Sequence, residues 1–510
     1  MSDTQTARPE SPEEPGKETR RPVAVDLFAG AGGLSLGLEQ AGFDVVAAVE
    51  YDPVHAATHE FNFPLTKVLC ADVSAPLAAE TLRAAVRAGM ETHAHDLDVW
   101  DGEVDLIAGG PPCQGFSWIG KRLIDDKRNQ LVFHFLRLVS EVRPRYFVME
   151  NVPGMAKGGH SSILGELIAE FEDAGYRFPD ESKYRILNAA DFGVPQERHR
   201  LFLIGTREDQ ETTAASPSAT VQPVPKRPSL KKLATDSTLP IGPSVWDAIG
   251  DLPNLNRYPR LRDFDEVKLS NHTVAAMDAA ASEYARRLRR IDDDPKDFSH
   301  PRSWDRTLLT GSTRTVHTPK SVGRFRATKH GHTEPVSRFY KLDPAGLCNT
   351  LRAGSGSERG AFTSPRPIHP NLPRVLSNRE AARLHSFPDW FRLHATKWHG
   401  FRQIGNAVAP LLGRAVGRTI VDALALTPPV SAEVVELGDL KLLELTMSQA
   451  TAHFGADEAY IPAKRTRGAV PGAVQTDQEA AVDPTTTAAD LPAQTESAEA
   501  EDSEREPVEV

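Results

Sequence analysis

Cysteine is scarce in this chain: three in 510 residues, Cys70, Cys113 and Cys348, each standing alone. Single, scattered cysteines exclude a disulfide framework and the paired spacing of a cysteine zinc site, so no metal is expected. No apolar run reaches the ~18 residues a membrane-spanning helix needs. The first twenty positions, MSDTQTARPESPEEPGKETR, are polar and offer no signal-peptide core. A cytoplasmic protein with no membrane partner is therefore expected. A surplus of positive charge is also missing, since the formal net charge is -11. That figure argues against a nucleic-acid partner only until it is counted by region. Residues 471–510 hold 11 acidic side chains against one basic, Arg505, so the rest of the chain is close to neutral.

What is present is enough apolar sequence, 40%, for a sizeable core, and enough length for two or three domains of ~100–200 residues. The acidic tail, 471–510, is rich in Ala, Thr, Glu and Pro and cannot bury enough apolar surface to offset its ordering entropy, so disorder is expected there and in residues 1–22. From Val23 to about Thr206, short apolar runs alternate with amphipathic stretches, the pattern of a parallel sheet with helical crossovers. Strands are expected at 23–28, 44–50, 104–110, 146–152 and 200–205, with another near KVLCAD, and helices at 34–42 and 129–144. The α/β domain is thus read as 23–205, interrupted by a less regular domain, 206–375, and closed by 376–426. Residues 427–470 form an extension of uncertain character.

Several motifs sit at strand ends. DLFAGAGGLSLGL (26–38) places glycines between a strand and a helix, where a backbone turns sharply and approaches a ligand. A tight structural turn would use the same residues. Glu50, ending the second strand, suits ribose hydroxyls, and Asp72, beyond the third, suits an adenine amino group. GGPPCQGFS (109–117) presents Cys113 in a loop stiffened by Pro111 and Pro112 and freed by Gly115. A lone cysteine is otherwise a small buried hydrophobe, but a loop after a strand end is seldom deep core. Glu150, in ENVPGM, would share that rim. A thiolate and a carboxylic acid facing one cavity suit nucleophilic addition to a ring whose nitrogen gains charge, although Glu150 could equally cap a helix. Arg198 and Arg200, at alternate positions of QERHR, would point to one face and suit phosphate or carbonyl oxygens, or form a surface ion-pair ladder.

The ordered set DLFAGAGG, GGPPCQGFS, MENVPGM, QERHR, REAARLHSFP and QIGNAVAP resembles the motif series of the bacterial DNA cytosine-5 methyltransferases of restriction-modification systems, over residues 23–425. The resemblance implies a Rossmann-like, S-adenosylmethionine-dependent methyltransferase fold and duplex DNA as substrate. It implies a donor site from Phe28, Gly30, Gly32, Gly33, Glu50, Asp72 and Pro112, closed by Asn406 and Val408. Cys113 would attack carbon 6 of a flipped cytosine, Glu150 would engage ring nitrogen 3, and Arg200 the base oxygen, with Arg198 nearby. Gln114, Ser117, Asn151, Gln196 and Thr350 would contact the substrate, and the loop from Gln114 to about Arg128 would close over it. A cognate restriction endonuclease acting on the same site and a monomeric state are expected by the same analogy, as is association with the bacterial nucleoid. An RNA cytosine-5 methyltransferase on the same scaffold, or a DNA-binding relative without catalysis, are the alternatives.

Residues 206–375 would be the target recognition domain. They carry 27 Lys and Arg against 19 Asp and Glu, and within 302–352 the balance is 10 against 3. Basic side chains mixed with Trp, Thr, His and Gly suit phosphate contacts and base-edge reading. A plain solvated basic face would have the same composition.

Overall fold

The strands that begin and end at the expected places do so because their residues are apolar on both faces. VAVDL, DVVAAVE and LIAG leave scarcely a polar side chain to point at solvent, so each must be covered by helices above and below. In the computed structural model, which describes residues 18–73, 79–95, 97, 100–112, 131–158, 160–179, 183–224, 238–354 and 366–456, they form β1 (Val23–Leu27), β2 (Asp44–Glu50) and β4 (Leu106–Gly109). With β3 (Lys67–Cys70), β5 (Tyr146–Asn151), β6 (Tyr176–Arg177), β7 (Arg185–Asn188) and β8 (His199–Arg207) they build an eight-stranded sheet in the order β3-β2-β1-β4-β5-β8-β6, β7 also pairing with β8.

β1 to β5 run parallel, joined by helices α1 (Gly33–Ala41), α2 (Pro53–Asn62), α3 (Ala79–Thr92) and α4 (Leu131–Val142). Helix α5 (His160–Asp173) follows β5. The strand order reverses between β1 and β4, the switch point at which such sheets open a crevice at their carboxyl ends. The expectation of a parallel partner at 200–205 is corrected: β8 runs antiparallel to β5, β6 and β7. The chain reaches it through short connections from β6 and β7, too short for the crossover a parallel strand requires.

The insert carries short helices α6 (Val245–Ile249), α7 (Asn271–Ala280), α8 (Glu283–Leu288) and α9 (Pro319–Ala327) and a two-stranded pairing of β9 (Val267–Lys268) with β10 (Leu308–Leu309). Val245, Ala248 and Ile249 share a core with Leu384, Phe387, Trp390 and Phe401 of the closing segment, whose helices are α10 (Asn378–Leu384), α11 (Lys397–Asn406) and α12 (Pro410–Ala423). Helix α12 lies so close to α1 that a Cβ on Gly37 would stand 2.6 Å from the Pro410 carbonyl oxygen. Beyond it, Leu442 and Leu443 of the extension pack on Ala57 and Phe61 of α2, and α13 (Met447–Phe454) follows. Among the described residues no helix is long and apolar enough to cross a membrane.

Candidate active site

The chain leaves β1 in an unusual backbone. Phe28 (φ 61°), Gly30 (φ 58°) and Gly32 (φ 99°) are all left-handed, a conformation that costs a non-glycine residue about 1–2 kcal/mol. Phe28 thus holds strain at the mouth of the crevice, as binding loops often do. The glycines divide the work. A Cβ on Gly30 would meet nothing within 4 Å, whereas one on Gly32 would fall 2.2 Å from the Phe63 ring and one on Gly33 2.5 Å from the Val408 carbonyl oxygen. Gly30 borders open space, while Gly32 and Gly33 let the loop close on its neighbours.

Glu50 stands at the edge of that space. One carboxylate oxygen accepts the Gly30 N–H at 2.7 Å and the other the Asp52 N–H at 2.8 Å. Burial pushes its pKa up, against the charge of His55 and these amides. Asp72 lies two residues past β3 and is half-buried, Pro112 and Asn406 are exposed, and Val408 is buried.

Across the switch point, Gly109 of β4 pairs with Met149 of β5, which sets Gly110 beside Glu150. A Cβ on Gly110 would come within 2.9 Å of a Glu150 carboxylate oxygen, so glycine makes the room this side chain occupies. Arg200 Nε lies 2.7 Å from Glu150 Oε1, with the two side chains 13% and 12% exposed. Its Nη1 donates to the His199 carbonyl at 2.8 Å. Asn151 donates to the Pro111 carbonyl at 3.3 Å and accepts the Val152 N–H at 2.8 Å, tying the ends of β4 and β5 together. Cys113, Gln114, Ser117 and the expected closing loop lie outside the described residues.

Three other expected site residues face the protein itself. Arg198 is fully buried: Nη1 donates to Leu351 O at 3.1 Å, and Nη2 to Gly405 O at 3.0 Å and Ala407 O at 2.8 Å. Burial, with the nearby Arg200 charge, drives its pKa well below the usual guanidinium value. Gln196 donates to Leu384 O at 3.1 Å and to His385 Nδ1 at 2.9 Å, and accepts the Leu351 N–H at 3.0 Å. His385 Nε2 in turn lies 3.0 Å from Ala407 O, which fits a neutral ring protonated at Nε2. Thr350 donates to Glu197 O at 2.6 Å. Together they lash the approach to β8 and the segment 348–351 to the α11–α12 connection that carries Asn406 and Val408. His385 had no role assigned from sequence, although its HSFP motif was visible.

A second network unread in the sequence lies behind the glycine loop. Ser35 donates to Asp26 Oδ2 at 2.6 Å and stands 2.9 Å from His59 Nε2. Burial raises the Asp26 pKa to about 7 and lowers that of His59 to about 3. Cavities of about 150 and 390 Å³ lie under the extension, lined by residues such as Trp304, Trp390, Leu442 and His453, and take no part in this rim.

The rim therefore offers two adjoining places. One is a backbone cradle bordered by a carboxylate, suited to a hydroxyl-bearing nucleoside. The other is a carboxyl group paired with a guanidinium, suited to a ring that presents a nitrogen and an oxygen side by side.

A family model described as C-5 cytosine-specific DNA methylase matches residues 23–422. The Type II methyltransferase M.XorII of Xanthomonas oryzae pv. oryzae is 49% identical over 447 residues, 88% of this chain and 95% of its own. M.AgeI of Thalassovita gelatinovora is 32% identical over 450 residues, 79% and 99% of the two chains. Among solved structures, an E. coli prophage-encoded protein described as a DNA modification methyltransferase superposes with a TM-score of 0.59 at 32% identity, over 79% of this chain and 99% of that one.

Proposed function

The chain belongs to the C-5 cytosine-specific DNA methylase family and methylates DNA cytosine at carbon 5, and from that premise we propose how its own residues carry the reaction. Cys113 is the nucleophile, Glu150 and Arg200 hold the base, and the Phe28–Gly33 loop with Glu50 holds the methyl donor. The observation that carries this reading is the Glu150–Arg200 pair at the rim where β4 leads into Cys113.

The donor implied by the family is S-adenosylmethionine, which supplies an electrophilic methyl carbon. The cradle suits it. Open space beside Gly30 leaves room for the nucleoside, and the Glu50 carboxylate, already accepting backbone N–H groups, can take ribose hydroxyls. Asp72 and Pro112 border the adenine side, and Asn406 and Val408 close over the donor from the α11–α12 connection. Arg198 acts as a positioning residue, because its hydrogen bonds fix that connection.

A cytosine inside a duplex is out of reach, so the base must swing out into the rim. The Cys113 thiolate then forms a bond to carbon 6, and the electron pair moves toward ring nitrogen 3, where the Glu150 carboxyl group protonates or hydrogen bonds it. Arg200 neutralises charge on the base oxygen and orients the Glu150 carboxyl group. Carbon 5, now electron-rich, would take the methyl group as the carbon–sulfur bond of the donor breaks, its electron pair staying with the sulfur of the departing neutral thioether. Transfer of the carbon 5 proton to solvent and departure of the thiolate restore the ring and free Cys113. Gln114, Ser117 and Asn151 shape the base pocket, Asn151 by holding Pro111, while Gln196 and Thr350 act at one remove by fixing the approach to β8.

Residues 206–375 serve as the target recognition domain, inserted between the catalytic parts 23–205 and 376–426. The enzyme works as a cytoplasmic monomer on duplex DNA, alongside a restriction endonuclease that cuts the same site. The test is methyl transfer from labelled S-adenosylmethionine to duplex DNA or to transfer RNA, with Cys113→Ala as control. Transfer to DNA and a covalent adduct with a 5-fluorocytosine duplex, both lost in the variant, are expected. Transfer to RNA alone, or an adduct that survives in Cys113→Ala, would overturn the reading.

A further inference from the structure

The opposite, amino-terminal edge of the sheet carries a cluster that the reaction does not use. Asp44 opens β2 there, and three imidazoles converge on its carboxylate. His95 Nε2 lies 2.9 Å from Oδ2, while His300 Nε2 and His93 Nδ1 lie 3.2 Å and 3.6 Å from Oδ1. His93 and His95 follow α3, and His300 comes from the insert, so chain segments distant in sequence meet at one carboxylate.

Hydrogen bonding accounts for only part of this. At 3.6 Å the His93 Nδ1 is beyond hydrogen-bond reach, and its Nε2 has no partner, although the ring is only 5% exposed. A buried imidazole nitrogen left without a partner is costly. The spacing fits a shared ligand. Bonds of about 2.0–2.1 Å in a tetrahedral shell put neighbouring donor atoms about 3.3 Å apart, and imidazole ring centres about 5 Å apart. The distances to Asp44 bracket the first figure. The ring centres, His93–His300 at 5.8 Å and His93–His95 at 6.3 Å, lie slightly outside the second. The donor atoms of Asp44, His93 and His300 are all within 4.8 Å of one another.

The surroundings suit a ligand set. Arg21 Nε donates to Asp44 Oδ1 at 2.6 Å, the kind of outer contact that orients a ligating carboxylate. Its other nitrogens are held by the carbonyls of Phe43, Phe298 and Pro429, so it cannot swing across the cluster.

We propose that Asp44, His93 and His300 bind one transition-metal dication of the zinc class, with His95, hydrogen-bonded to Asp44 Oδ2, orienting the carboxylate from outside. Imidazole nitrogens favour zinc, cobalt or nickel over magnesium or calcium, which prefer oxygen shells. Lying across the sheet from Glu50 and Glu150, the ion fastens the insert and the end of α3 to β2 and takes no part in methyl transfer. Its effect is on stability, because it cross-links segments whose closure in the unfolded chain is entropically costly.

The test uses the full-length protein stripped with a chelator and then loaded with zinc or cobalt(II). The expected result is one more metal ion per chain in the wild type than in a His93→Gln/His300→Gln variant. A cobalt absorption of tetrahedral intensity and a rise in Tm should likewise be present in the wild type and absent in the variant. Equal metal content and equal Tm shifts in the two proteins would overturn the proposal. Should the variant not fold, histidine labelling of the wild type by diethyl pyrocarbonate decides. Zinc should protect His93 and His300, and unchanged labelling of both overturns the site.

Discussion

At the scale of the residue, the proposed chemistry rests on Glu150, and the sharpest test is Glu150→Gln. The amide keeps the shape beside Gly110 but can neither pair with Arg200 as an anion nor pass a proton to ring nitrogen 3. General acid catalysis is worth roughly 10²–10⁴-fold, so kcat should fall by that order while the Kd for duplex DNA changes little. A fall of less than about tenfold would remove Glu150 from the reaction. Asp26 provides a second test, of stability rather than catalysis. Its pKa is raised to about 7 by burial, against about 4 in an unfolded chain. Folding therefore takes up a proton, and the resulting stability is fully present below about pH 4 and is lost as pH rises through about 7. Asp26→Asn, which still accepts from Ser35, should gain stability relative to the wild type by on the order of a few kcal/mol between pH 5 and pH 8. Urea unfolding at the two pH values measures it, and parallel behaviour of the two proteins would refute it. Glu50 and Glu150 were legible in the sequence because each ends an apolar strand, and strand ends face the crevice. Arg198 and Arg200 were less so. Alternation puts two residues on one face only within a strand, and β8 begins at His199, between them. Arg200 consequently meets Glu150, while Arg198 turns inward to carbonyls. Asp44 and its histidines were invisible because no spacing rule links residues brought together only by the folded chain.

At the scale of the element, the α1–α12 contact joins the closing segment to the first part of the sheet. Helices can approach this closely only where Cβ atoms are missing, and a Cβ on Gly37 would stand 2.7 Å from Gly413 Cα as well as 2.6 Å from the Pro410 carbonyl oxygen. Gly37→Ala must therefore push backbone against backbone, at a cost of about 1–3 kcal/mol. Gly165, exposed in α5, has nothing within 4 Å of its would-be Cβ, so Gly165→Ala should stabilise by about 0.5–1 kcal/mol through helix propensity and chain entropy. Opposite shifts of the denaturation midpoint in the two variants are expected, and a neutral Gly37→Ala would show that α1 and α12 do not depend on this approach. The parallel core and its helices could be read from sequence because buried strands are continuous apolar runs and the crossover helices carry one apolar face. The direction of β8 could not. Periodicity fixes which side chains face in and is silent on whether a neighbour runs up or down the sheet. The extension was equally opaque: Leu442 and Leu443 form too short an apolar stretch to signal that they cover α2.

At the scale of the whole molecule, charge is divided along the chain rather than balanced within it. The insert 206–375, proposed to read the target, has an excess of eight basic residues in a protein of net charge -11, of which residues 471–510 supply -10. DNA binding driven by phosphate contacts releases counterions and weakens as salt rises. The Kd of the full chain should therefore increase steeply between about 50 and 200 mM salt. The acidic segment should oppose this attraction wherever it comes within a Debye length of the DNA, about 10 Å at 0.1 M salt and about 30 Å at 0.01 M, since like charge repels the polyanion. Deleting residues 471–510 should accelerate association with DNA of any sequence at low salt, and the gain should shrink toward nothing near 1 M, where the Debye length is about 3 Å. On the proposed reading, base-edge contacts come from residues 206–375 and remain in the truncated chain, so the ratio of specific to non-specific affinity at a fixed salt should stay within a few-fold. Stopped-flow association rates and a salt titration of binding for both proteins measure this. Equal association rates at low salt would mean that the segment's charge does not reach the DNA-binding face. A lost specificity ratio would mean that it contributes to reading the sequence itself, a role that its composition, poor in Arg, Lys and aromatic side chains, gives it no chemistry to perform.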